Sequence, residues 1–126
     1  MNKRILRKCL HISKDYLHKH EETYKHFSFI VYNDSIIEWG TNRCRDALKF
    51  LGYESHTKMH SEVDAYFKAR GLIGRNQFEV VNIRLTKTGI IRNSRPCSCC
   101  FEFLRGLNCK KIWFTTDLEN FARMDI

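Results

Sequence analysis

The spacing of apolar positions along the chain changes repeatedly, and each change marks an element. Ile5, Cys9, Ile12 and Tyr16 recur at helical spacing with Leu6, Leu10 and Leu17 beside them, so residues 2–24 read as an amphipathic helix. Lys3, Arg4, Arg7, Lys8, Lys14 and Lys19 fill its other face. Phe27 to Tyr32 is aromatic and β-branched, the composition of a strand. Asn33-Asp34 is a tight turn, and Ser35 to Trp39 returns as the second arm of a hairpin that Gly40-Thr41-Asn42 ends. Residues 43–59 are mostly polar, with a short apolar patch at Ala47, Leu48, Phe50 and Leu51; connections of that length are often functional. His60 to Arg70 reads as a helix burying Val63, Tyr66 and Phe67, with Gly71 as its stop. Phe78 to Thr86 is a strand with Val81, Ile83 and Leu85 on one face, and Thr88-Gly89 is a turn. Ile90 to Arg95 is extended and leads to a helix over Cys97–Leu107, whose core side carries Phe101, Leu104 and Leu107. Lys111 to Thr115 is a strand, and Asn120 to Ile126 is a short last strand or a frayed end.

Helices and strands in this order predict an α/β protein of three layers, α/β/α, around a mixed sheet. The chain has 126 residues, enough for one domain with a modest core, so residues 1–126 are expected to act as one unit. Its 43% hydrophobic content is ordinary for a globular protein, and no apolar run approaches the 18 or so residues needed to cross a bilayer. Met1 to Lys8 is basic, but no continuous apolar stretch follows, so no secretory signal and no membrane partner are expected. The six cysteines lack the regular spacing of a disulfide scaffold. Cys9, Cys44, Cys99 and Cys109 read as free, mostly packed thiols in a reducing compartment, the cytoplasm with the nucleus left open. The net charge of +8 suits either a polyanionic or anionic partner or a solvated surface.

Two stretches carry chemistry: His60-Ser61-Glu62, and Pro96-Cys97-Ser98-Cys99-Cys100. Alone, the cysteine pair fits equally a redox pair or half of a structural zinc site. Together the stretches read His-x-Glu then Pro-Cys-x-x-Cys, the signature of zinc-dependent nucleobase deaminases. A catalytic zinc takes three protein ligands and keeps its fourth position for water. His60, Cys97 and Cys100 would supply one imidazole and two thiolates, and Glu62 would shuttle protons without occupying the metal. Cys97 and Cys100 lie one helical turn apart, and the helix N-terminus favours their thiolates.

With Gly40-x-Asn42 added, the chain resembles the cytidine deaminase superfamily over nearly its whole length. The resemblance implies a three-layer α/β/α cytidine deaminase-like fold with a mixed five-stranded sheet, Zn2+ as cofactor, His60, Cys97 and Cys100 as its ligands, and Glu62 as the catalytic residue. It also implies Asn42 as a ligand for a sugar hydroxyl and Ala65 on the floor of the site, with Ser61 and Arg95 as further substrate contacts. The activity implied is hydrolytic deamination of cytosine in a nucleoside, nucleotide or single-stranded nucleic acid. Adenine or guanine deamination, a silent zinc-stabilised nucleic-acid-binding module and a small redox protein are the alternatives. A homo-oligomer is compatible with the resemblance. Arg43, Arg45, Lys58, Arg92 and Arg95 flank the motifs as a candidate phosphate path, and Trp39 and Tyr53 are candidate platforms for a base, although core or loop packing is the commoner role of such aromatics.

Two features divide the family's branches. His60, rather than a cysteine, as first ligand resembles the deoxycytidylate, tRNA and polynucleotide enzymes. Yet Asp117 to Asn120 is too short for the crossover that parallel strands require, so a terminal strand must run antiparallel, as in the free-nucleoside enzymes.

Overall fold

The hairpin at one edge of the fold turns on Asn33 and Asp34, both with positive φ (51° and 57°), the geometry that matches the right-handed twist of paired strands. We describe it from a computed structural model, which describes residues 1–20, 24–44 and 58–126. The helices are α1 (Lys3–His20), α2 (Ser61–Ile73) and α3 (Ser98–Arg105). The strands are β1 (Tyr24–Tyr32), β2 (Ser35–Thr41), β3 (Arg43–Cys44), β4 (Lys58–Met59), β5 (Phe78–Thr86), β6 (Ile91–Arg92), β7 (Cys109–Thr115) and β8 (Phe121–Asp125). The main sheet runs β2-β1-β5-β7-β8, with the short β6 also paired to β5, making six strands. β3 and β4 form a separate antiparallel pair just before α2. Among the described residues only β5 and β7 are parallel, joined through α3; β8 returns antiparallel to β7, as its short link demands.

The elements follow the expected order with shifted boundaries. α1 ends at His20, and β1 begins at Tyr24, so the first strand starts three residues earlier than its apolar pattern suggests. β2 continues through Gly40 and Thr41. α2 does not stop at Gly71 but at Gly74, whose φ of 56° and N–H bond to the Arg70 carbonyl (3.0 Å) form the cap. Gly71 is exposed with open space at its missing Cβ, and a helix tolerates such a glycine at a cost of about 1 kcal/mol. The apolar patch at residues 47–51, together with Arg45 and Tyr53, lies outside the described residues.

The two faces of the sheet hold two cores. On one face α1 covers Phe27, Phe29 and Val31 of β1 and Val81, Ile83 and Leu85 of β5, with Ile5, Leu6, Cys9 and Leu17 inserted between. Each large side chain so buried contributes roughly 1.5–3 kcal/mol. Trp39 belongs here: its ring stacks on Phe29 at 5.9 Å and meets Tyr16 edge-on at 5.2 Å. It is therefore core packing rather than a platform for a base. On the other face α2 and α3 cover Ile30, Phe78, Val80 and Ile112 with Ala65, Ala69, Ile73 and Leu104. Ala65 is fully buried in this core and does not line the cavity described below.

Gly40 lets β2 reach α2. A Cβ there would stand 2.5 Å from the Ala65 nitrogen and 2.7 Å from the Asp64 carboxylate, so only glycine fits. The approach lets the next residue, Thr41, donate its N–H to buried Asp64 Oδ2 at 3.0 Å, and it fixes where Asn42 leaves the strand.

Candidate metal centre and active site

Two helices begin at one place. His60 is the N-cap of α2 and Cys97 the N-cap of α3, both with extended backbone. Cys97 accepts the Cys100 N–H on its sulfur (3.5 Å), filling the capping role that serine or aspartate usually takes. Pro96 therefore precedes the cap instead of opening the helix. His60 Nδ1 stands 3.5 Å from Cys97 Sγ and 3.1 Å from Cys100 Sγ, and all three ligand atoms lie within 4.8 Å of one another. Ligands bound tetrahedrally at about 2.0–2.3 Å from one ion sit roughly 3.5 Å apart, so the spacing fits a shared metal.

The donor chemistry fits as well. Burial, reinforced by the nearby charges of Glu62 and Cys97, pushes the Cys100 thiol well above its ordinary value. A buried sulfur beside a carboxylate is held as thiolate only by a cation close at hand. One imidazole and two sulfurs form a set that suits zinc. Cys99, between the two ligand cysteines, is not in the cluster.

Glu62 lies in the first turn of α2, only 6% exposed, and both its oxygens are bound. Oε1 accepts from Ser61 Oγ (3.2 Å) and Oε2 from Asn82 Nδ2 (3.1 Å). Ser28 Oγ donates to Asn82 Oδ1 (2.6 Å) and meets Ser61 Oγ (2.7 Å), closing a ring of four buried residues. Asn82 Nδ2 also reaches the Ser94 carbonyl (3.3 Å), and Ser94 Oγ donates back to the Asn82 carbonyl (2.8 Å). One asparagine thus ties Glu62 to the segment that delivers the cysteines.

The strand register explains this arrangement. On the α2-facing side of β1 and β5, successive pairs are Ile30↔Val80, Ser28↔Asn82 and His26↔Arg84. They run from apolar core, through neutral polar groups under Glu62, to His26, which lines the cavity, and Arg84 beside it. Arg92 of β6 pairs with Arg84 and extends the basic row.

The cavity, of about 220 Å³, is lined by His26, Asn42, His60, Ser61, Glu62, Ser94, Arg95, Pro96 and Cys97. It gathers Asn42, His60, Ser61, Glu62, Arg95 and Cys97 of the expected site; Cys100 joins through the ligand cluster, and Ala65 stays outside in the core. Asn42 Oδ1 accepts the His26 N–H (3.1 Å), so its amide nitrogen is the group left to donate. Arg95, which lines the cavity, and Arg92 are both exposed. In the small β3–β4 sheet Arg43 pairs with Met59 and Lys58 with Cys44.

Three participants escaped the sequence reading. His26 resembled a surface histidine, yet it lines the cavity; burial first, then Arg84 and His60, hold it down at about 4, neutral at physiological pH. Asn82 and Ser28 stand at core-facing positions inside otherwise apolar strands, and that misplaced polarity is a readable signal, since buried polar groups need partners.

Comparison with solved structures places the fold. A cytidine deaminase from Burkholderia pseudomallei aligns with a TM-score of 0.66 at 16% identity, over 99% of this chain and 93% of that one. The dCMP deaminase of cyanophage S-TIM5 aligns in its apo form (TM-score 0.61, 15% identity, 92% and 86% of the two chains). It also aligns in complex with dCMP and dUMP (TM-score 0.60, 17% identity, 89% and 81%). No family model and no curated protein matches the chain. The chain has the cytidine deaminase-like fold. Among the described residues no helix is long and apolar enough to cross a membrane.

Proposed function

We propose that this protein is a zinc-dependent deaminase that hydrolyses cytosine to uracil and ammonia in a nucleoside, nucleotide or single-stranded nucleic acid. The observation that carries the reading is a buried carboxylate, Glu62, facing the same cavity as a His60/Cys97/Cys100 ligand cluster. The fold shared with cytidine and dCMP deaminases supports it. Bound at the three ligands, zinc would supply the Lewis acid that makes a water reactive at neutral pH. Glu62 takes the first proton of the attacking water and gives it to the ring nitrogen, then takes the remaining hydroxyl proton and gives it to the amine, which leaves as ammonia as the carbonyl forms.

The ring beneath Glu62 gives that proton a place. With a carboxylate, two hydroxyl protons serve three contacts, because Asn82 Oδ1 only accepts and claims the Ser28 proton. With a proton on Oε1, Glu62 donates to Ser61, Ser61 to Ser28 and Ser28 to Asn82, and every contact has a donor. The shuttle can therefore carry its proton without breaking the structure that holds it.

At the mouth, the Asn42 amide donates to a sugar hydroxyl, and Arg95 meets a phosphate, with the paired Arg84 and Arg92 adding positive charge on the neighbouring strands. That charge favours a phosphate-bearing substrate, as does the dCMP bound in the phage enzyme. The test is to incubate the zinc-loaded protein with cytidine, deoxycytidine, their monophosphates and short single strands, and to follow loss of the amine by mass across a salt series. A strand substrate gives a log–log salt slope near −0.7 per phosphate contacted, and a mononucleotide a shallow one. No amine lost from any cytosine substrate overturns the reading.

A further inference from the structure

We infer that Asn82 is a positioning residue: its side-chain amide sets the aim of the Glu62 carboxylate into the cavity and keeps it in register with the cysteine-bearing segment. The inference rests on the proposed deaminase reading.

Asn82 lies in the middle of β5, the central strand, 3% exposed and among apolar neighbours. A polar amide at such a place is costly unless every bond is made, and here it is fully used. Oδ1 accepts from Ser28, and Nδ2 donates to Glu62 Oε2 and to the Ser94 carbonyl. The three partners come from three separate elements: β1, the first turn of α2, and the extended segment before Cys97. Glu62 and Cys97 are contributed by different helices, and each could shift with its own helix. Asn82 bonds to the first and, through Ser94, to the approach to the second. Leucine would fill the same volume and serve packing alone, whereas an amide oriented by Ser28 fixes direction as well. Misplacing a reacting group by about 1 Å can cost roughly 10²-fold in rate.

The test compares wild type with Asn82→Ala, Asn82→Asp and Ser28→Ala, each checked for bound zinc and thermal melting. Asn82→Asp keeps the shape and the acceptor for Ser28 but turns the donor into an acceptor against Glu62. We expect kcat to fall about 10²-fold in both Asn82 variants and less in Ser28→Ala, with KM and zinc stoichiometry near wild type. The carboxyl carbon resonance of Glu62, assigned by its loss in Glu62→Ala, should shift in metal-free Asn82→Ala, a readout independent of turnover. If the Asn82 variants do not fold, Ser28→Ala decides, since removing one buried hydroxyl frees Asn82 to rotate: kcat and the Glu62 resonance should both change. Wild-type kcat and an unmoved resonance overturn the inference while leaving the deaminase reading intact. A wild-type protein that deaminates nothing, beside a Glu62→Ala control equally inert, removes both.

Discussion

The two faces of the β1–β5 pair are built from alternate residues of the same strands, yet they differ in kind. The α1 face is apolar through its middle, where Phe27 pairs with Ile83 and Phe29 with Val81, and charge enters only at its ends, where Lys25 pairs with Leu85 and Glu79 with Val31. The α2 face is graded: Ile30 with Val80, Ser28 with Asn82, His26 with Arg84. Successive side chains on a strand point to opposite faces, so a chain can give one face to stability and the other to chemistry without compromise between them. The division also sorts the thiols. Burial pushes Cys9, on the α1 side, up to about 12, leaving an inert packing group, whereas Cys97 is exposed at the mouth of the cavity beside His60.

The largest effect should come from the graded face. Glu62→Ala removes the proposed shuttle and leaves all three ligand side chains. Turnover should drop by at least 10²–10⁴-fold, the usual worth of general acid–base help, while zinc content stays stoichiometric. Near-normal turnover would erase the functional meaning of that face. Lost zinc would show that Glu62 holds the metal centre together instead.

The opposite face should give the opposite signature. Phe29 is fully buried and stacked on Trp39. Truncating it to alanine should cost about 3–5 kcal/mol of stability, read by denaturant titration, with kcat of the folded protein unchanged. A large fall in kcat per folded molecule would mean that the two faces communicate through the sheet.

The division of faces also explains what the sequence revealed. Element order, the antiparallel last strand and the ligand cluster were legible because they depend on local period, loop length and motif spacing. The period-two reading of β5 marked Val81, Ile83 and Leu85 as one buried face. It left Val80, Asn82 and Arg84 unexamined, although these meet α2, the cavity and the basic row. Asn82 depends on a partner 20 residues away in Glu62 and another 54 away in Ser28, and no local pattern encodes those distances. Trp39, for which core packing is the commoner role and base stacking the alternative, takes the core place. An aromatic near a motif looks available to a ligand until the strand's alternation places it under α1.

The smallest effect concerns the outermost pair of the graded face. His26 would titrate near 6.5 in an unfolded chain but is held at about 4 when folded, by burial and then by Arg84 and His60. Between those values the unfolded chain binds a proton that the folded chain refuses. Stability should therefore fall as pH drops from about 6.5 toward 4 and level off below that, so far as this group is concerned. The full shift sets a ceiling near 3 kcal/mol; solvent reaching the cavity mouth reduces the expected contribution to the order of 1 kcal/mol. His26→Gln removes the titrating group and keeps a polar side chain there. Melting curves of both proteins over this pH range, with metal content measured at each point, should converge toward pH 4 from an offset near neutrality. Parallel curves would show that His26 is solvated in the folded protein and is not held neutral by burial at the cavity.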